Sequence, residues 1–112
     1  MLRGEIWSAV WPNDPDLKLR PVLIVSNNYR NMERKLEDIV VVKITGLLRD
    51  DGSKKPLNSD EDILYKFRKE SIIKCSSIYS IEKAQLQKKL GTLTSQQMEI
   101  VGEKLRNVLE LN

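Results

Sequence analysis

The sequence predicts a mainly β protein, a small antiparallel sheet or partly closed barrel followed by one C-terminal helix. Three observations lead to this fold class. Five or six short segments rich in β-branched residues are separated by turn-forming stretches. No helical segments alternate with them, as a parallel sheet would require. An amphipathic helical pattern is confined to the C-terminal end of the chain.

The first half of the chain contains three predicted strands and two loops. A continuous apolar run that begins with Arg20 and Pro21 is typical of a fully buried strand, and proline is tolerated at the start of a strand. The predicted strands are 4–11 (GEIWSAVW), 20–26 (RPVLIVS) and 38–45 (DIVVVKIT), with loops at 12–19 and 27–37, the second containing a short helix.

The second half begins with the longest irregular stretch, 46–62, which is dense in Gly, Asp, Ser, Lys and Pro. Such long loops often carry function. The segments 63–68 (ILYKFR) and 71–79 (SIIKCSSIY) predict two further strands. A turn at 80–86 and a brief extended piece, LGTL at 90–93, follow them.

The last predicted element is a helix that begins after Thr94. Thr94 and Gln97 have the spacing of a capping box, in which each side chain satisfies the other residue's backbone amide. The apolar residues that follow form one stripe at helical spacing, which predicts packing against the sheet or against a partner. They are Met98, Val101, Leu105, Val108 and Leu109.

The composition limits the class of protein and the kinds of chemistry that are available to it. With 112 residues, a net charge of +3 and 40% hydrophobic residues, we expect one soluble globular domain spanning 1–112. The single cysteine, Cys75, excludes an internal disulfide. The absence of histidine excludes histidine bases and histidine metal ligands. No apolar run approaches the ~18 residues of a membrane span, so a cytoplasmic location without membrane contact is expected.

Arg20 is the residue that composition does not explain. It places a guanidinium at the start of the most hydrophobic predicted strand, directly before Pro21. From the residues alone, two interpretations are open: an ion pair with Asp14 or Asp16, or a group that binds an anionic ligand.

Five stretches, taken together and in order, resemble the MazF/PemK/Kid family of toxin ribonucleases from bacterial toxin–antitoxin pairs. The most specific is the RPVLIVSN run that begins at Arg20. The stretches are RGEIWSAVWP (3–12), LRPVLIVSNNYRN (19–31), VVVKIT (40–45), ESIIKCSSIYSI (70–81) and LGTLTSQQMEIVGEKL (90–105).

The resemblance implies an SH3-like barrel with a C-terminal helix that works as a homodimer. It also implies metal-independent cleavage of single-stranded RNA, often mRNA at short sequences, by attack of the 2′-hydroxyl on its own phosphate. A labile antitoxin, whose acidic flexible tail lies across the active groove, is the implied partner. No cofactor or metal is implied.

The same resemblance assigns the catalytic residues. Arg20 matches the family's catalytic arginine, and Thr45 matches the threonine that closes the third strand. The carboxylate-bearing loop of the family is shorter here, so Asp14 and Asp16 are both candidate general bases. As turn-forming residues beside proline they have an equally good structural explanation.

RNA contacts are expected at a second set of positions. Trp11 and Tyr29 could stack on unpaired bases, whereas Trp7 is expected in the core. A basic cluster could follow an RNA backbone, grip the antitoxin, or form an ordinary solvated face; it comprises Lys66, Arg68, Lys69 and Lys74. The remaining expected RNA-binding residues are Lys18, Gly46 and Ser77.

Two departures from the family pattern keep other functions open. Gly46 removes a hydroxyl that many relatives carry, and Ser76–Ser77 replace a frequent Asp–Gln pair. A non-catalytic SH3-like binding module, or a protein-targeting poison like the gyrase inhibitor CcdB, is therefore the alternative. A peptide-binding adaptor is disfavoured because only 5% of residues are aromatic.

Overall fold

Six antiparallel strands form one sheet in the order β4-β5-β3-β2-β1-β6. A computed structural model describes residues 1–11 and 14–111. The elements are β1 (Glu5–Val10), β2 (Leu19–Ile24), α1 (Asn28–Met32), β3 (Asp38–Gly46), β4 (Asp62–Lys66), β5 (Glu70–Glu82), a 3-10 turn (Lys83–Gln85), β6 (Leu86–Thr92) and α2 (Ser95–Leu109). The predicted mainly β fold with a C-terminal helix is confirmed. Of the predicted loop 12–19, Pro12 and Asn13 lie outside the described residues.

The strands alternate between two buried faces, which explains the continuous apolar runs. On β2 and β3, Leu23 and Val42 belong to a core on the face that α2 covers. Val22 and Val41 belong to a second core on the opposite face. The long strand β5 contributes Ile73 to the first core and Ile81 to the second. Trp7, half-buried, packs on the second core as expected.

The sheet has two edge strands, β4 and β6, and the described residues contain no backbone ladder between them. Phe67, just after β4, lies beside Gly91 of β6, where an added Cβ would be at ordinary van der Waals distance, 3.7 Å, from its ring. Over the described residues the sheet is therefore barrel-like but is not closed by hydrogen bonds between its edge strands.

The C-terminal part of the sheet differs from the sequence prediction. The predicted turn at 80–86 is confined to the 3-10 turn Lys83–Gln85, because β5 continues to Glu82 and β6 already begins at Leu86. β6 is an edge strand whose residues 87–89 are exposed, so its sequence, QKK, lacks the apolar alternation by which strands are recognised.

The helix α2 begins as predicted. Thr94 Oγ1 accepts a hydrogen bond from Gln97 N at 3.1 Å, and Gln97 Oε1 accepts one from Thr94 N at 2.8 Å. Val101 is fully buried, whereas Leu109, at the end of the predicted apolar stripe, is 52% exposed. No helix in the described ranges is long and apolar enough to span a membrane.

Cys75 lies in the first core with no exposed surface. Burial, reinforced by the negative charge of Asp62, raises the pKa of its thiol to about 11. It is therefore a small apolar core residue rather than a reactive thiolate.

Glu5 ties the N-terminus to both β1 and β6. Its Oε1 accepts hydrogen bonds from Leu2 N and Trp7 Nε1, each at 2.9 Å, and its Oε2 lies 3.0 Å from Lys89 Nζ. Burial disfavours the ionised carboxylate, but these hydrogen bonds and the Lys89 charge outweigh burial and lower the pKa of Glu5 from 4.5 to about 2.

Glu5 should make the folded state sensitive to acid. Because its pKa is lower in the folded than in the unfolded chain, its contribution is complete above pH 4.5 and is lost as the pH falls toward 2. The shift corresponds to on the order of 3 kcal/mol. Urea unfolding at pH 7 and pH 3 should show a smaller pH dependence for Glu5→Gln than for the parent. Exposed Glu37→Gln is the matched control, and equal pH dependence in all three proteins would contradict the assignment.

Candidate active site

The register between β2 and β3 brings Arg20 and Thr45 together. Val22 pairs with Lys43, so continuing two residues along each strand places Arg20 opposite Thr45. Antiparallel partners point to the same face of a sheet, and Arg20, Lys43 and Thr45 all line one groove. On its other side Arg20 pairs with Ala9, whose small side chain leaves room for the guanidinium.

The groove has a volume of about 520 Å³ and lies at the end of β3, against the loop before β2. Its polar lining is strongly cationic, since it combines one carboxylate with three basic side chains. These lining residues are Asp14, Arg20, Lys43, Thr45, Lys69 and Ser71. The arrangement suits an anionic ligand with several oxygen atoms.

Asp14 is the carboxylate of the groove. Its Oδ2 lies 3.5 Å from Arg20 Nη2, and only 12% of the Asp14 side chain is exposed, against 48% for Arg20. The loop fixes Asp14 through a hydrogen bond from Asp16 N to Asp14 Oδ1 at 2.9 Å. The ion pair of Arg20 with Asp14 is therefore confirmed, and about half of the arginine side chain remains exposed. Binding of an anionic ligand by Arg20 stays a prediction.

Asp16 and Lys18 point elsewhere. They face each other at 3.9 Å with both side chains more than half exposed, and neither lines the groove. Of the two candidate bases, the structure therefore brings only Asp14 to Arg20.

Two lysines fill the space around Thr45 and Gly46. Lys55 Nζ donates a hydrogen bond to Thr45 Oγ1 at 2.9 Å. A Cβ added at Gly46 would lie 3.2 Å from Lys69 Nζ, so the missing side chain at Gly46 leaves space that the Lys69 ammonium uses. A positive charge therefore lies where the family resemblance implies a hydroxyl.

Lys43 and Lys55 were missed by sequence reasoning, and Lys69 was recognised only as part of a basic cluster. The signal for Lys43 is alternation, because it lies two residues before Thr45 and so shares its face. Lys55 lies in the irregular segment 46–62, where no periodic pattern indicates the direction in which a side chain points. The other members of the cluster, Lys66, Arg68 and Lys74, do not line the groove.

The predicted RNA-stacking residues separate in space. Trp11 lines the groove and contacts the Tyr79 ring edge-on, with centroids 4.7 Å apart. Tyr29 is 74% exposed, but it lies in α1. This helix follows the C-terminal end of β2, whereas Arg20 lies near the N-terminal end of that strand. Ser77 lies in the irregular part of β5, between the residues paired with Val42 and Lys43, and does not line the groove.

Two glycines should respond differently to alanine. Gly4 has φ +93°, and an added Cβ would meet Met98 Cγ at 3.3 Å, so Gly4→Ala should lower the free energy of unfolding by about 1–2 kcal/mol. Gly46 lies outside the left-handed region and its Cβ would meet only the flexible end of Lys69. Gly46→Ala should therefore leave stability nearly unchanged in urea unfolding; the reverse order of effects would contradict this geometry.

Comparison with solved structures places the whole fold among known proteins. An endoribonuclease in complex with its cognate antitoxin, from a mycobacterial species, is 24% identical and aligns over 100% of this chain and 97% of that chain, with a TM-score of 0.74. A second mycobacterial endoribonuclease is 25% identical over 99% and 92% of the two chains, with a TM-score of 0.69. The toxin MazF-mt6 of Mycobacterium tuberculosis is 22% identical over 96% and 98%, with a TM-score of 0.67.

Sequence comparison gives a family but no individual curated relative. No curated protein sequence matches the chain. The family model described as PemK-like, MazF-like toxin of type II toxin-antitoxin system matches residues 2–109, almost the entire length. Because this match spans almost the whole chain, the chain belongs to the PemK-like, MazF-like toxin family of type II toxin–antitoxin systems.

Proposed function

We propose that this protein is the toxin of a type II toxin–antitoxin pair, an endoribonuclease that cleaves single-stranded RNA at short sequences without a metal. The observation that carries the proposal is the meeting of Arg20, Thr45 and Asp14 around one cationic groove. Membership of the toxin family and a mycobacterial neighbour named as an endoribonuclease support it. A non-catalytic binding module would not require these three groups to converge.

The reaction is a transesterification within the RNA. The 2′-oxygen attacks the adjacent phosphorus, the bond from phosphorus to the 5′-oxygen breaks, and the products carry a 2′,3′-cyclic phosphate and a 5′-hydroxyl. Negative charge grows on the phosphoryl oxygens in the transition state. Arg20 stabilises that charge with a planar guanidinium, which the ladder with β1 and the Asp14 carboxylate hold in place.

Thr45 and Asp14 complete the chemistry. The Thr45 hydroxyl donates a hydrogen bond to a second phosphoryl oxygen. The Asp14 carboxylate accepts the proton of the 2′-hydroxyl as general base, and the departing 5′-oxygen takes up a proton from solvent. Trp11, at the rim of the groove, offers an aromatic surface on which an unpaired base can stack.

Metal independence is supported by the charge of the groove. Arg20, Lys43 and Lys69 line it, Lys55 approaches through Thr45, and Asp14 is the carboxylate among the described lining residues. A divalent cation would meet repulsion from the three basic groups that line the groove, whereas a phosphate is attracted by them. The basic side chains thus supply the charge stabilisation that a metal supplies in other nucleases.

The same cationic groove supports the proposed partner. An acidic, flexible antitoxin segment would be attracted to the groove and would cover Arg20, which blocks RNA. A neighbouring structure contains MazE with MazF from Deinococcus radiodurans, 12% identical, covering 99% of this chain and 96% of that chain with a TM-score of 0.70.

We expect a homodimer acting in the cytoplasm, where mRNA is found. RNA contacts by Lys18, Tyr29, Gly46 and Ser77 stay predictions.

Arg20→Ala should reduce RNA cleavage by about 100- to 1,000-fold in kcat, because a preorganised donor to the transition-state charge is removed. The measurement is cleavage of a long single-stranded RNA in EDTA, with analysis of the new ends for 2′,3′-cyclic phosphate. Arg20→Lys should recover only part of the rate, since an ammonium lacks the planar paired donors.

The matched control is Arg34→Ala, which removes an exposed arginine outside the groove and should leave cleavage unchanged. Melting curves establish that each variant is folded. RNA binding without cleavage by the parent protein, or equal cleavage by the parent and Arg20→Ala, would overturn the proposed function. Loss of activity in EDTA that Mg²⁺ restores would overturn metal independence alone.

Asp14→Asn should lower kcat much more than Asp16→Asn, because Asp14 borders the groove and Asp16 faces outward. A larger loss of kcat in Asp16→Asn than in Asp14→Asn would reverse the assignment, and an unchanged kcat in both variants would remove it.

A further inference from the structure

Thr45 is held by a group from the longest loop of the protein. Lys55 Nζ donates to Thr45 Oγ1 at 2.9 Å. An ammonium has three donors and no acceptor, and a hydroxyl has one donor and two acceptor lone pairs. The hydrogen bond can therefore run in only one direction, and it leaves the hydroxyl hydrogen of Thr45 available. Among the described residues, no acceptor is recorded for that hydrogen.

The loop holds Lys55 in this position through its backbone. Lys55 N donates to Leu47 O at 2.9 Å, and Leu48 pairs with Lys54 across a small hairpin. At the tip, Asp51 Oδ1 accepts from Ser53 N at 2.9 Å and from Ser53 Oγ at 2.6 Å. Lys55 is half-buried while the rest of 48–60 is exposed, so its side chain points inward from an otherwise solvated segment.

We propose that Lys55 is a positioning residue that fixes the Thr45 hydroxyl as a donor directed at the RNA phosphate. The inference rests on the proposed function. In the absence of Lys55, the hydroxyl could rotate and donate to solvent as readily as to the groove, because threonine hydroxyls have several accessible orientations. With Lys55 in place, one lone pair of Oγ1 is occupied by a cationic donor, which also polarises the O–H bond and strengthens its donation.

The alternative for Lys55 is direct contact with the RNA backbone, and the two roles differ in measurable ways. A lysine that binds phosphate contributes to counterion release, so its loss lowers the salt dependence of RNA affinity by about one unit of slope or less. A lysine that acts through Thr45 changes kcat and leaves that slope unaltered. Its effect also requires the Thr45 hydroxyl.

The test is a double-mutant cycle with Lys55→Met and Thr45→Val in RNA cleavage. Lys55→Met alone should reduce kcat by about tenfold, the effect of one hydrogen bond to a charged group, with KM and the salt slope of RNA binding unchanged. In the Thr45→Val background the same change should cost less than about twofold. Lys55→Arg should retain most of the activity, and the neighbouring Lys54→Met is the matched control that should behave as the parent.

The outcomes separate this inference from the proposed function. Failure of the parent protein to cleave RNA overturns the proposed function, and this inference with it. If the parent cleaves, an equal loss from Lys55→Met in both backgrounds, a fall in the salt slope, or no loss at all overturns the positioning role alone. Melting temperatures of the four proteins in the cycle should be non-additive as well, since the two side chains are in contact without RNA.

Discussion

The antiparallel register of β2 on β3 is the constraint on which the candidate active site depends. It places a strand-start arginine opposite a strand-end threonine, although 24 residues separate them in the sequence. Because side chains alternate between faces, a slip of one residue would turn Arg20 toward the opposite face from Thr45. The register is fixed by two apolar cores, one on each side of the sheet. The rigidity of the site is therefore a by-product of hydrophobic burial.

In the groove, the position without a side chain at Gly46 is next to a positively charged group. Gly46 contributes no side chain, and Lys69 from the β4–β5 turn occupies the space beside it. A hydroxyl offers one neutral donor, whereas an ammonium offers three charged ones. Lys69 therefore adds charged donors to the groove beside Gly46. The departure at Gly46 does not empty the groove.

Much of the fold and part of the site follow from the sequence. The β-branched runs and the Thr94 capping box identify β1 to β5 and α2 because burial and capping leave periodic or positional signals. The edge strand β6 leaves no such signal, since its exposed residues need not be apolar. Arg20 and Thr45 were identified through family resemblance, whereas Lys55 lies in an irregular loop whose direction only tertiary contacts determine. Asp14 rather than Asp16 reaches Arg20 because of the geometry of the turn. The sequence, two aspartates beside one proline, does not specify that geometry.

The reactivity of the Cys75 thiol can be used to measure local unfolding of the protein. Cys75 is the only cysteine in the sequence, and its side chain lies in the core that α2 covers, with no exposed surface. A thiol reagent can reach it only when that core separates, so the rate of labelling measures the population of opened molecules rather than surface reactivity. Antitoxin or RNA that binds only the folded state would slow labelling in proportion to its occupancy. Ligand affinity could thus be measured from a residue that no ligand touches.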